Sequence, residues 1–246
     1  MHAEHELWIT ALCNQFLAAP ANAILGLAGQ HPEHADKPWN NFQAMQLLVF
    51  VIMLIVFAIA KSGFSVDKPT RLQHLLESLY EFLAGQTDEV GIHHGGKLVP
   101  FFGTLFLFVM FCNLIGVIPG FESPTMFPPV PLGLALATFV FYNYLGIRTQ
   151  GLGHYAAHFM GPIPIMAPMM IPIEIISHLA RPLSLTVRLY ANMFAGEQVT
   201  LAFLGLTYVA IPAVFMGLHV FVSFLQAYIF TLMTMIYVSS AMEGEH

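Results

Sequence analysis

Long apolar windows separated by short polar stretches set out the plan of this chain. Windows of about 20 apolar residues, the length that a hydrocarbon core of about 30 Å requires, run over 42–61, 98–118, 131–147 and 211–238. Each predicts a membrane-spanning helix. Between the first two windows, Leu72, Leu75, Leu76, Leu79, Phe82 and Leu83 recur at helical spacing, while Gln73, His74, Glu77, Ser78 and Glu81 fill the other face. That periodicity predicts an amphipathic helix over 70–84, lying at an interface or against the bundle. The stretch Leu7 to Gly29 is apolar as well, but Asn14, Gln15, Pro20 and Asn22 interrupt it, so it reads as a short interfacial helix rather than a span. No Lys or Arg precedes it, which argues against a cleaved secretory signal. The expected organisation is an external N-terminal segment, 1–41, followed by a single membrane domain, 42–246. The expected fold class is an all-α, multi-span helical bundle.

The segment from Ile163 to about Tyr208 departs from this plan. It opens on Pro162, Pro164, Pro168 and Pro172, which break or kink helices, and then holds only Pro182, so a helix is predicted over about 173–208. A helix of some 36 residues is about 54 Å long at 1.5 Å per residue, too long to stand upright in the core. It must lie strongly tilted, forming a hairpin with the last span, and its shape points to a partner surface inside the membrane. Its polar residues are ordered: Glu174, Ser177, Arg181, Ser184, Arg188 and Asn192 follow spacings of three and four and so stack along one stripe. Glu197 lies nine residues past Arg188, turned about 180° around the helix and displaced by about 13.5 Å.

Composition sharpens the membrane reading. Of 246 residues, 57% are hydrophobic and only 9% charged, against roughly 25% charged in a soluble domain. Eight Lys and Arg provide no basic footprint for nucleic acid. Cys13 and Cys112 are far apart, which suggests free thiols rather than a disulfide or zinc framework. The cations also orient the chain. Lys61, Lys68, Arg71, Lys97 and Arg148 fall after the first span, before the second and after the third, while the loop Pro119 to Pro131 holds Glu122 and no cation. By the positive-inside rule that loop and the N-terminus face out, with only Lys37 beside Glu33 and Asp36 on that side, and the C-terminus is cytoplasmic.

Arg188 carries the chemistry. No acidic residue stands within eight positions of it, and a guanidinium at the centre of a bilayer helix costs about 2.5–3.5 kcal/mol even on the lenient insertion scale. If the chain turns near Leu206 to Ala210 and returns antiparallel, facing residues have numbers summing to about 415. Glu197 then faces His219, and Arg188 faces Gln226, with Asn192 nearby. A carboxylate and an imidazole relay protons; arginine stays protonated and does not. The pattern is two ion inlets that do not meet, with a fixed cation between them. Arg188 would draw a carboxylate from another subunit and favour its ionised form.

The string SHLARPLSLTVRLYANMFAGE, with LQAYIFTLMTMIYVS after it and FCNLIGVIPG before, closely resembles subunit a of the F-type ATP synthase membrane sector. The match covers about Ser62 to the C-terminus; the first 40 residues carry no motif that it explains. The resemblance implies a multi-pass inner-membrane protein, the ion-translocating stator of a rotary motor. Its partners would be a ring of c subunits, peripheral-stalk b subunits, the rest of the ATP synthase complex and membrane lipid. No cofactor and no nucleic acid are implied. Arg188 matches the stator arginine facing the ring, and Glu197 and His219 match the outer half-channel. Asn192 and Gln226 match the polar partners of the arginine, and Glu174 with Ser177 the inner half-channel. His178 departs from the pattern, which has a small or apolar residue there; it either extends the inner channel or bonds locally.

Several residues admit two readings. Arg181 beside Pro182 is a channel residue or a lipid and helix-end anchor. Ser184 lines a channel or bonds back to its own helix. Asn113 lines a channel or joins helices, while Tyr190 and Tyr237 read as packing residues. Two rival classes remain: a haem or metal membrane protein using His178 and His219, and a secondary transporter binding a small anion at Arg188. The first lacks paired histidines on facing spans, since His93 and His94 fall in a loop and His2, His5, His31 and His34 in the tail. The second lacks an inverted repeat of Glu174 to Asn192. No GxxxxGK[ST] phosphate loop is present, so nucleotide chemistry is not expected here.

Overall fold

The computed structural model describes residues 7–27, 37–65, 69–92, 95–118, 120–151, 153, 155, 167–206 and 210–242. Pro162, Pro164, Lys68, His93, His94, the tail histidines, the 207–209 turn and residues 243–246 lie outside them. The described residues form seven α-helices: α1 (Trp8–Leu27), α2 (Asn41–Ser62), α3 (Arg71–Glu89), α4 (Val99–Ile115), α5 (Pro129–Gln150), α6 (Ala167–Leu206) and α7 (Ala210–Met242). Short 3₁₀ turns at Gly95–Lys97 and Pro124–Met126 lead into α4 and α5.

The bundle centres on α7, which packs on α4, α5 and α6, while α6 packs on α5 and α7. Phe102 and Phe106 of α4, Tyr142 of α5, Leu189 and Met193 of α6, and Phe230 and Met235 of α7 are fully buried between them. The outward faces are apolar as well: Phe50, Leu54 and Ile59 of α2 and Val140 and Tyr144 of α5 are all exposed. Water does not tolerate so large an apolar surface on a monomer; lipid does. Among the described residues three helices are long and apolar enough to cross a membrane, in Asn41–Ser62, Pro129–Gln150 and Val214–Met242. At 17 residues, α4 sits at the lower limit for a crossing.

Helix α4 stops at Ile115 because the chain folds back on it. A Cβ on Gly116 would lie 2.7 Å from the Ser123 Cβ and 2.9 Å from the Ser123 backbone nitrogen, an approach only glycine permits. The fold-back is locked by buried hydroxyls. Ser123 Oγ donates to the Cys112 carbonyl at 2.9 Å, and Thr125 Oγ1 donates to Asn113 Oδ1 at 2.6 Å. Asn113 Nδ2 in turn donates to the Ser223 carbonyl of α7 at 3.4 Å. Asn113 thus ties the loop, α4 and α7 together. Replacing Asn113 with Leu leaves the Thr125 hydroxyl without its acceptor, at a cost of about 1–3 kcal/mol; the thermal midpoint of the detergent-solubilised chain is expected to fall, and an unchanged midpoint would count against this bond.

Three expectations are corrected. The long helix begins at Ala167, so Pro168 and Pro172 lie within its first turns and do not precede it. Pro168 falls where the first four backbone N–H groups have no intrahelical partner in any case, whereas Pro172, like Pro182, lies inside the helix and removes one intrahelical bond. Helix α3 extends to Glu89, and its supposed polar face is interrupted: Gln73 is buried, donating to Glu77 Oε1 at 2.8 Å and accepting from the Ser65 N–H at 3.1 Å. Leu75 and Phe82, by contrast, stay exposed, so the apolar stripe is wider than the protein surface it meets. The third concerns the pairing of Gln226 and is described with the site. Helix α1 is anchored to the start of α2: Asn14 Oδ1 accepts from the Trp39 N–H at 3.0 Å, and Trp39 Nε1 donates to the Leu17 carbonyl at 3.0 Å.

Candidate functional site

The polar stripe of α6 is real but lies across an edge. Glu174, Arg181 and Arg188, seven residues apart, are half-buried, whereas Ser177, Ser184 and Asn192 are exposed. A seven-residue step returns nearly to the same side of a helix, so the charged row runs along the packed flank and the small polar row along the open face. That open face continues through Leu179, Leu183, Val187 and Phe194. It is long, apolar and uncovered among the described residues, with Ala180, Ala191 and Ala195 also exposed on it.

Among the described residues, Arg188 has no ion pair or hydrogen-bond partner, and neither Glu174 nor Glu197 reaches it. Helix geometry accounts for this, since Glu174 is about 21 Å away along the axis and Glu197 is turned to the far side. Gln226 does not pair with Arg188 as expected. Its Oε1 accepts from Asn192 Nδ2 at 2.9 Å, one helical turn further on. Both hairpin helices are continuous, so the shift is set by how α6 and α7 nest, which sequence arithmetic does not specify.

Glu197 and His219 do come to one place. A cavity of about 250 Å³ is walled by Glu197, Thr200 and Leu201 of α6, Met216 and His219 of α7, and Gly116, Val117, Ile118, Gly120 and Phe121 after α4. A second cavity of about 250 Å³ lies along the α6/α7 groove between Asn192, Gly196, Thr200 and His219. Thr200 and His219 belong to both walls. The Glu197 Oε2, His219 Nε2 and Gln226 Nε2 atoms are buried without hydrogen-bond partners among the described residues. Buried polar atoms are normally paired, so orphans beside cavities of this size fit hydrated or ion-exchanging groups.

On the other side of Arg188 along α6, Glu174, His178 and Arg181 line a small cavity of about 20 Å³ with Gln150, Tyr155 and Ser240. His178 Nε2 is 2.9 Å from Asn143 Oδ1 and 3.3 Å from the Tyr142 hydroxyl, and Tyr155 donates to the same Asn143 oxygen at 2.7 Å. The departure at His178 therefore joins a hydrogen-bonded cluster. The guanidinium of Arg181 lies over the rings of Tyr237 and Tyr142, at 5.3 and 6.0 Å, close enough for cation–π attraction. The close approach of helices here depends on Gly146, whose Cβ would lie 2.9 Å from the Ala241 carbonyl. Ser177 is exposed and is not among the residues lining this cavity. Ser184 is exposed on the open face, and Tyr190 stacks on Phe194, as a packing residue does.

Sequence reasoning missed Tyr142, Asn143 and Tyr155, although two polar residues inside the third apolar window were a usable signal. It also used Glu122 only to orient a loop, whereas that residue follows Phe121, a wall of the cavity that Glu197 lines. No spacing rule could have found this, because the loop and α6 are far apart in the chain.

The family model described as ATP synthase A chain matches residues 43–239. A protein named ATP synthase subunit a from Solibacter usitatus is 57% identical over 233 residues, covering 95% of this chain and 99% of that one. The protein of the same name from Koribacter versatilis is 45% identical over 98% of this chain and 99% of its own length. The Aquifex aeolicus protein is 39% identical over 80% of this chain and 95% of its own. An arginine unpaired among the described residues, with polar cavities on either side of it along its helix, thus occurs in a multi-pass membrane protein that belongs to the ATP synthase subunit a family.

Proposed function

We propose that this chain carries two offset half-channels that load and unload protons on a ring of c subunits, with Arg188 as the fixed charge between them. Membership of the family makes it the non-catalytic, proton-translocating stator subunit of the ATP synthase membrane sector. The observation that carries the half-channel reading is the placement of the cavities. Glu197, His219 and Asn192 line those on one side of Arg188 along α6, while Glu174, His178 and Arg181 line the one on the other. The two acids are 23 residues apart, about 34 Å along the axis.

In this mechanism a proton passes from outside through His219 and Glu197 towards Asn192 and Gln226, and neutralises a ring carboxylate. The loaded ring turns through the lipid. Near Arg188 the carboxylate ionises again, because an adjacent cation stabilises its charged form, and the proton leaves past Glu174 and the His178 cluster to the cytoplasm. Ser177 and Ser184 face the ring on the open side of α6. Arg181, held over two tyrosines, keeps a positive charge beside the inner route. Peripheral-stalk b subunits hold the chain static. The cation distribution supports an external N-terminus and a cytoplasmic C-terminus in the inner membrane.

The open face of α6 offers a direct test. A cysteine at Ser184 is expected to cross-link to a cysteine near the carboxylate of the c subunit in the assembled complex, and one at the buried Leu189 is not. Equal yields at the two positions would remove α6 as the ring-facing helix.

A further inference from the structure

The first 40 residues and the acid of the external loop have no place in the mechanism so far, yet the fold brings them together at the Glu197 cavity. Asn41, the first residue of α2, is buried. Its Oδ1 accepts from the Thr10 hydroxyl at 2.9 Å and the Leu7 N–H at 3.3 Å, both from the start of the N-terminal segment. Its Nδ2 points the other way, to Glu122 Oε2 at a long 3.5 Å. The Trp8 ring meets Phe121 edge-on at 6.2 Å, and Phe121 is itself a wall of the cavity that Glu197 and His219 share. The N-terminal helix thus touches the loop both through Asn41 and through Phe121.

Glu122 is half-buried and next in the chain to Phe121 of that wall. His219, 8% exposed, with an Nε2 that has no hydrogen-bond partner among the described residues, lines the same cavity. A carboxylate held at the mouth of a low-dielectric cleft raises the local concentration of cations, protons included. Glu122 on the loop would then precede the His219 and Glu197 pair that shares the cavity.

We propose that Glu122 is the mouth acid of the Glu197 cavity, collecting protons for it, and that helix α1, acting through Asn41, is the strut that holds Glu122 in place. This rests on the reading of that cavity as the outer half-channel. Glu122 is a collecting residue and Asn41 a positioning one; neither touches the ring.

The test uses the assembled complex reconstituted in liposomes, with passive proton flux read through the membrane sector at alkaline external pH, where proton supply limits. Glu122→Gln is expected to lower flux at low ionic strength by about tenfold, the low end of what a focusing charge achieves. The gap to the unsubstituted complex should close as salt screens the carboxylate. In a Cys13→Ser background, Glu122→Cys should recover flux on labelling with an anionic, membrane-impermeant thiol reagent and not with a cationic one. This comparison is made on one assembled sample, so it does not depend on how well the variant folds. Asn41→Leu should reproduce the low-salt loss in part.

If Glu122→Gln conducts at the unsubstituted rate at both salt levels while Glu197→Gln still blocks, the collecting role is wrong and the half-channel stands. If Glu197→Gln also conducts normally, the half-channel reading falls and this inference with it. Recovery with both reagents alike overturns the charge argument.

Discussion

Arg188→Ala is expected to abolish ATP-driven proton pumping in inverted membrane vesicles while leaving ATP hydrolysis by the soluble sector unchanged. The reason lies in what surrounds the side chain. A guanidinium in a membrane helix is costly, about 2.5–3.5 kcal/mol on the insertion scale, and among the described residues nothing in this chain offsets that cost by pairing with it. On the proposed reading its partner is a carboxylate of another subunit, reaching it past the face of α6 that is exposed among the described residues. Alanine removes the only group on this stretch that drives a passing carboxylate to ionise, since no other cation lies within six residues on either side. It also removes the barrier to direct proton leak between the two sets of cavities. Lysine keeps a charge but loses the planar fork and holds its proton less firmly, so Arg188→Lys should recover little coupling. Pumping by the alanine variant at the unsubstituted rate would sink the mechanism.

The second large effect is expected at Glu197. Glu197→Gln keeps the shape of the side chain and removes only its capacity to bind and release a proton. A positioned acid–base group contributes on the order of 10²–10⁴ in rate; flux through the membrane sector should therefore fall by about 10²-fold if His219 carries part of the relay. Assembly should be little altered, because Glu197 Oε2 makes no hydrogen bond among the described residues that the amide would break. The measurement is proton flux normalised to the amount of chain recovered with the complex. A variant that assembles and conducts normally would show that the cavity does not carry the ion. Glu197→Asp, which retains the carboxyl but draws it back from the cavity, should lie between the two.

How much of this was legible beforehand differs from residue to residue. Helical periodicity placed Glu174, Arg181 and Arg188 along one row without any structure, because a seven-residue step returns to the same side of any α-helix. It also separated Glu197 from Arg188, and it brought Glu197 and His219 to the same end of the hairpin. It failed at Gln226, which bonds Asn192. Facing residues depend on the turn and on how side chains of two helices interlock, and a shift of one turn leaves each helix unchanged. The assignment of Gln73 to a polar face failed for a related reason. Periodicity shows which residues share a face, not which face finds a neighbour, and Gln73 is covered because Ser65 and Glu77 satisfy its amide.

The sequence by itself determined the class of the molecule and its central charge. Apolar windows long enough for a bilayer, a helix too long to stand upright in one, and an arginine with no acid within reach are properties of single segments, set by local geometry and solvation. Only the tertiary structure decided what those segments meet. It set Asn113 between a loop and α7, gathered His178, Asn143 and Tyr155 into one hydrogen-bonded cluster beside a water-sized cavity, and carried the N-terminal helix through Asn41 to Glu122, next in the chain to a wall of another. Such meetings join residues tens of positions apart. They follow from close approaches, such as Gly116 on Ser123 and Gly146 on Ala241, that fix how whole helices nest, and no spacing along one chain segment contains that information.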